Sequence, residues 1–184
     1  MAKLVVFTGG TRSGKSRCAE QYAARLAAEV VYLATAEVGD AEMAERVERH
    51  RRRRPATWRV VECTEAVGAA LREVPPGAVV LLDSLTLLVS RLLEQPAAEE
   101  LIRQELDALL TAQREQVLHL IVVSDEVGWG VVPPTPLGRR FRDLLGQANQ
   151  RLVSAADEAY LVVAGVPLDL RALQAAWSRD GSRP

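Results

Sequence analysis

Gly9-Gly10-Thr11-Arg12-Ser13-Gly14-Lys15-Ser16 fits the pattern G-x-x-x-x-G-K-[ST] without a mismatch, and no other stretch constrains the chain as much. Lys3 to Phe7, just before it, reads as a short buried strand, and Ser16 to Ala28, just after it, as a helix. A strand, a glycine turn and a helix are the context a phosphate-binding loop requires. Gly9 and Gly14 let the backbone bend until successive N–H groups face one anion. The helix adds its positive N-terminal end. Lys15 is then placed to neutralise β- and γ-phosphates, and Ser16 to offer its hydroxyl to Mg²⁺. A plain βα turn capped by serine is the competing reading, and it leaves the coincidence of strand, octet and helix unexplained.

The other bulk features narrow the class. A chain of 184 residues is long enough for one sizeable core. The formal net charge of −1 gives no global sign of nucleic-acid binding. The two cysteines, Cys18 and Cys63, lack metal-ligand spacing and suit free thiols in a reducing cytoplasm. No apolar run reaches membrane-spanning length, and no signal peptide is expected ahead of the loop. The two histidines are His50 and His119.

Beyond the first helix the chain alternates apolar strands with amphipathic helices. Val30 to Ala36 reads as a strand ending in the small residues Ala34, Thr35 and Ala36. Strand ends of this kind line the ligand crevice of open α/β sheets, so they either approach a nucleotide or simply form a loop exit with a helix cap. Asp40 to Arg54 reads as a charged helix with Asp40 as N-cap. It ends in Arg49, His50, Arg51, Arg52, Arg53, Arg54 and then Pro55. Such a run is either a solvated face that complements the helix dipole or a clamp for polyphosphate. Arg46, His50 and Arg54 are spaced by four and can share a face. Cations around His50 favour its neutral form, which is a nucleophile. A surface or packing role is the other reading of a lone helical histidine.

Trp58 to Cys63 reads as a strand whose Glu62 either bonds a base or ribose or merely ends the strand. Ala78 to Asp83 is an apolar strand running into an aspartate, as in a Walker B segment, where Asp83 would hold Mg²⁺ directly or through water. Helices are expected over Thr64–Glu73, Ser84–Leu93, Ala97–Gln116 and Leu137–Asp157. Leu118 to Glu126 is a strand that embeds His119 as a structural residue and ends in Asp125 and Glu126. Those acids are read as metal or base groups or as ordinary loop acids. Val127 to Pro134 is a Gly/Pro-rich loop carrying Trp129, suited to covering a bulky substrate. A last strand is expected over Ala159–Ala164, then a partly helical tail from Leu168 that frays over about 171–184.

The segments GGTRSGKS, VVYLATAE, EMAERVERHRRRRPATWRVVE, VVLLDSLT, SDEVGWGVVP and RFRDLLGQANQRLVSAADEAYLVVAGVPL, in this order, closely resemble one family. It is the bifunctional adenosylcobinamide kinase / adenosylcobinamide-phosphate guanylyltransferase of cobalamin biosynthesis, and the likeness extends to about Leu170. The resemblance implies phosphorylation of the aminopropanol hydroxyl of adenosylcobinamide by GTP or ATP. Transfer of GMP from GTP to that phosphate then follows, through a guanylylated histidine. Nucleotide contacts carried over by resemblance fall on Gly9 to Ser16, on Ala34, Thr35 and Ala36, on Arg51 to Arg54, and on Glu62 and Asp83. The reacting histidine falls on His50. Family members often have two adjacent histidines here, and this chain has Arg49 in the first place. Family trimers imply a homo-oligomer. The expected fold is a single α/β domain over residues 1–184, of the P-loop type, with a mostly parallel sheet flanked by helices and room for an antiparallel edge strand near the C-terminus.

Overall fold

The computed structural model describes residues 2–37 and 41–175, without the side chains of Ala41, Glu42, Met43, Arg46 and His50. In chain order the elements are β1 (Leu4–Gly9), α1 (Lys15–Leu26), β2 (Val31–Ala34), α2 (Ala41–Arg53), β3 (Arg59–Glu62), α3 (Val67–Arg72) and β4 (Val79–Asp83). Then come α4 (Leu85–Leu93), α5 (Ala98–Glu115), β5 (His119–Asp125), α6 (Pro136–Ala155), β6 (Glu158–Val163) and β7 (Val166–Asp169). The Asp40 cap expected for α2 lies outside the described residues.

The strands form one seven-stranded sheet in the order β3-β2-β4-β5-β1-β6-β7. Every pairing is parallel except β6 with β7. Parallel strands are covered on both faces, which explains why they read as unbroken apolar runs. All six residues of β1 are buried. Its alternate side chains divide between two cores. Leu4 and Val6 pack with Leu82, Leu120 and Val122 under α3, α4, α5 and α6. Val5 and Phe7 pack with Leu81, Ile121 and Val123 against Ala19 and Ala23 of α1.

Most element ends move by one to three residues from the expectation, and two differences bear on the site. The first strand continues through Thr8 to Gly9, because both residues stay in register with Ser124 and Asp125 of β5. The stretch from Leu168, expected to be partly helical, begins inside β7. Ala164 and Gly165 take left-handed backbone angles of 50° and 84° and close a two-residue hairpin that returns the chain along β6. Pro167 is tolerated because β7 is the sheet edge. Residues 176–184 lie outside the described residues.

Candidate active site

The parallel strands deliver Gly9, Ala34, Glu62, Asp83 and Asp125 to one edge of the sheet. In open α/β sheets this carboxyl-terminal edge is where ligands bind. The loop between β1 and α1 occupies its centre. Gly9 has φ 155°, and a Cβ there would stand 2.5 Å from the Val162 carbonyl oxygen and 2.8 Å from Ser13 Oγ. Gly14 has φ 97°, and a Cβ there would stand 3.1 Å from Gly165 Cα. Both positions therefore need glycine for backbone conformation and for space. The Ser13 N–H donates to the Gly10 carbonyl at 3.1 Å, and Gly165 N–H donates to the Ser13 carbonyl at 2.7 Å. The β6–β7 hairpin thus buttresses the loop from outside. Gly10, Thr11 and Arg12 are exposed at its crest.

Lys15 is buried, and its ammonium forms an ion pair with Asp125 Oδ1. It also donates to the Gly10 carbonyl at 3.4 Å. Ser16 donates its hydroxyl to Asp83 Oδ1 at 3.4 Å. The second oxygen of Asp83 accepts from the Tyr32 hydroxyl at 2.9 Å. Burial and the Asp83 charge push the Tyr32 phenol well above its ordinary range, so it stays a neutral donor. Asp83 consequently has one oxygen on the phosphate loop and the other on the wall of a cleft of about 860 Å³.

That cleft lies between the ends of β2, β3 and β4 and the helix α2. Ala34, Ala36, Arg51, Arg54, Glu62 and Asp83 line it, together with Tyr32, Val47 and Val60. The guanidinium of Arg54 lies 3.7 Å from the Tyr32 ring centroid. The arginine run is divided by helical geometry. Arg51 and Arg54, three apart, face the cleft. Arg52 donates to Glu48 at 3.0 Å, and Arg53 reaches Glu20 of α1 at 3.3 Å. Arg49 pairs with Glu45 at 3.0 Å. His50 falls on α2, four residues before Arg54, and its side chain lies outside the described residues.

Thr35 is not an open rim residue. It is 3% exposed, donates its hydroxyl to the Ser84 carbonyl at 2.7 Å and accepts the Ser84 N–H at 2.7 Å. It ties the end of β2 to the turn after β4. His119 begins β5, half-buried, away from the cleft lining.

Several residues of the site escaped sequence reasoning. Tyr32 looked like one apolar strand residue among others, and the turn at Gly165 carried no expected link to the phosphate loop. The apolar run of β5 sets Asp125 at the ligand-binding end of its strand, but does not identify it as the partner of Lys15. The signal that finds it is the β1–β5 register, which sets Gly9 opposite Asp125. Among the described residues, no three His, Cys, Asp or Glu side chains gather into a self-sufficient metal site. Likewise, no described helix is long and apolar enough to cross a membrane.

Comparison with known proteins places the chain. Bifunctional adenosylcobalamin biosynthesis protein CobU of Escherichia coli (strain K12) is 37% identical over 181 residues, covering 91% of this chain and 99% of the relative. Bifunctional adenosylcobalamin biosynthesis protein CobP of Pseudomonas aeruginosa is 43% identical over 164 residues, covering 89% and 94%. Among solved structures, the RadB recombinase is similar with a TM-score of 0.51 at 16% identity, covering 87% of this chain and 74% of that one. That likeness concerns the fold alone. The family model described as cobinamide kinase / cobinamide phosphate guanyltransferase matches residues 5–170. The chain belongs to the cobinamide kinase / cobinamide phosphate guanyltransferase family.

Proposed function

We propose that this chain phosphorylates the aminopropanol hydroxyl of adenosylcobinamide from GTP or ATP, and then transfers GMP from GTP to the resulting phosphate. The observation that carries this reading is the convergence of Lys15, Ser16 and Asp83 at one loop, in a chain matched by the family over residues 5–170. For the first reaction, the loop N–H groups and Lys15 hold the β- and γ-phosphates. Phosphoryl transfer needs chiefly positioning and fixed cations, which a buried lysine and a closed glycine loop supply. Ser16 and Asp83 fit Mg²⁺: their oxygens already meet at 3.4 Å, and a phosphate-bound ion takes its remaining ligands from phosphate and water. When bound there, the ion would neutralise charge between the β- and γ-phosphates.

For the second reaction, the His50 imidazole attacks the α-phosphorus of GTP and pyrophosphate leaves. An oxygen of adenosylcobinamide phosphate then attacks the same phosphorus, giving adenosylcobinamide-GDP and free imidazole. Arg51 and Arg54, on the cleft wall, supply positive charge for the phosphates in this reaction. Exposed Glu62 at the cleft is suited to a hydroxyl or amino group of the nucleoside. A cytoplasmic setting and a homotrimer complete the reading by family likeness.

The test supplies adenosylcobinamide with GTP labelled at either the α- or the γ-phosphorus. The γ-label should appear in adenosylcobinamide phosphate, and the α-label in adenosylcobinamide-GDP. Turnover of γ-label alone would reduce the chain to a kinase. No transfer of either label would refute the reading.

A further inference from the structure

Asp125 pairs directly with the phosphate-loop lysine, and nucleotide binding provides no use for its carboxylate. A carboxylate beside the lysine that must hold a triphosphate opposes the ligand by charge. Yet the chain fixes this aspartate from several sides. Its N–H donates to Thr86 Oγ1 of α4 at 2.7 Å, and its carbonyl accepts from Asn149 Nδ2 of α6 at 3.0 Å. Asn149 is itself locked by Ser124, whose hydroxyl donates to Asn149 Oδ1 at 2.6 Å. Ser124, Asn149 and Thr86 are all buried. A buried polar network of this kind rigidifies what it touches, and here it touches the backbone that carries the Asp125 carboxylate. The next residue, Glu126, is placed differently. Its N–H donates to the Gly9 carbonyl at 3.0 Å, and its carboxylate accepts from Gly128 N–H at 2.8 Å, closing its own turn.

We infer that Asp125 is the general base of the phosphoryl-transfer reaction, accepting the proton of the substrate hydroxyl. The inference rests on the kinase reading above. Lys15 Nζ touches Asp125 Oδ1 and would touch the γ-phosphate. Two charge-assisted contacts on one nitrogen leave the carboxylate and phosphate oxygens about 5 Å apart. That gap accommodates one hydroxyl, hydrogen-bonded to the carboxylate and facing phosphorus. When the triphosphate binds, Lys15 shares its ammonium between the carboxylate and the γ-phosphate, and holds the two on either side of the hydroxyl. In the step itself the hydroxyl proton passes to Asp125 Oδ1 as the oxygen bonds to the γ-phosphorus. The bond from that phosphorus to the β–γ bridging oxygen breaks, and the nucleoside diphosphate leaves. No oxidant or further reactant is required.

Guanylyl transfer offers an internal control, because its acceptor is already a phosphate anion with no proton to lose. Asp125→Asn should lower kcat for adenosylcobinamide phosphorylation by about 100-fold or more, with the KM for nucleotide not raised. Guanylyl transfer to presynthesised adenosylcobinamide phosphate should fall by less than about tenfold, which also shows that the variant is folded. Asp125→Glu should restore part of the lost kinase turnover. Asn149→Ala should lower kinase kcat by a smaller factor in the same lopsided way. Equal loss of both activities would overturn the inference and leave Asp125 as a structural partner of Lys15. So would kinase turnover retained within tenfold, or turnover restored by raising Mg²⁺, which would place Asp125 in the shell of the metal. A wild-type protein without kinase activity would instead remove the functional reading on which the inference rests.

Discussion

Around the β1–α1 turn the chain is held from every side: by β5 and β6 along β1, by the Gly165 turn against Ser13 and Gly14, and by Asp125 on Lys15. Across the cleft, no described side chain of α2 is buried. The ties of its described side chains include the exposed pairs Arg49–Glu45 and Arg52–Glu48 along its own surface, and Arg53 to Glu20 of α1. The difference matches the two proposed reactions. Holding a triphosphate in line for transfer needs donors that do not move. A residue that takes GMP from one molecule and hands it to another meets two partners in succession, and the exposed stretch Arg51 to Arg53 beside it leaves that side open. Asp83 joins the regions, with one oxygen on Ser16 and the other on Tyr32.

The sharpest way to break the comparison is Lys15→Ala. It should lower phosphoryl transfer by about 1000-fold or more, measured as γ-phosphate passed to adenosylcobinamide. Retained activity would mean that the loop is not the catalytic grip. Next in size is Gly9→Ala. Its Cβ collides with backbone at Val162, so chemical denaturation should show a loss of about 3 kcal/mol or more.

Glu158, opposite Val5 of β1, lies at the foot of the same unit. Burial alone would push the Glu158 carboxyl up, but hydrogen bonds from Lys3, Tyr160 and Tyr22 outweigh it and hold the group below its ordinary range. The Tyr160 phenol, pushed up to about 12 by burial and by Glu158, remains a neutral donor. A carboxyl lowered by folding stabilises the protein above its unfolded pKa, and that contribution fades as pH falls through the folded value. Glu158→Gln should therefore cost about 1 kcal/mol near neutral pH, since solvent screens its exposed Lys3 partner, and the gap from wild type should close in strong acid. The smallest effect belongs to α2. Arg52→Ala should leave stability within about 0.5 kcal/mol of wild type, because its partner Glu48 is exposed too. A larger loss would show that α2 is held more firmly than its exposed side chains indicate.

The phosphate loop was legible because its signal is local: eight consecutive residues between a strand and a helix. The strands β1 to β6 and the long helices followed from their apolar periods, whereas β7 did not. Asp83 was legible as the acid that ends β4, though not its second contact with Tyr32, which is fixed by how β2 lies beside β4. Asp125 on Lys15 depends on which strands are neighbours, and periodicity carries no such information. The hairpin at Ala164 and Gly165 was missed as a support for the loop for the same reason: its contact with Ser13 joins residues far apart in sequence. For the arginine run, sequence gave the charge but not the division by which Arg51 and Arg54 face the cleft while Arg52 and Arg53 hold carboxylates.

The most direct measurement of the proposed division of labour is peptide mapping after incubation with α-labelled GTP. The account predicts one acid-labile GMP adduct, on the peptide carrying His50. His50→Ala should lose this adduct while still phosphorylating adenosylcobinamide. An adduct that survives in His50→Ala, or maps to another residue, would contradict it.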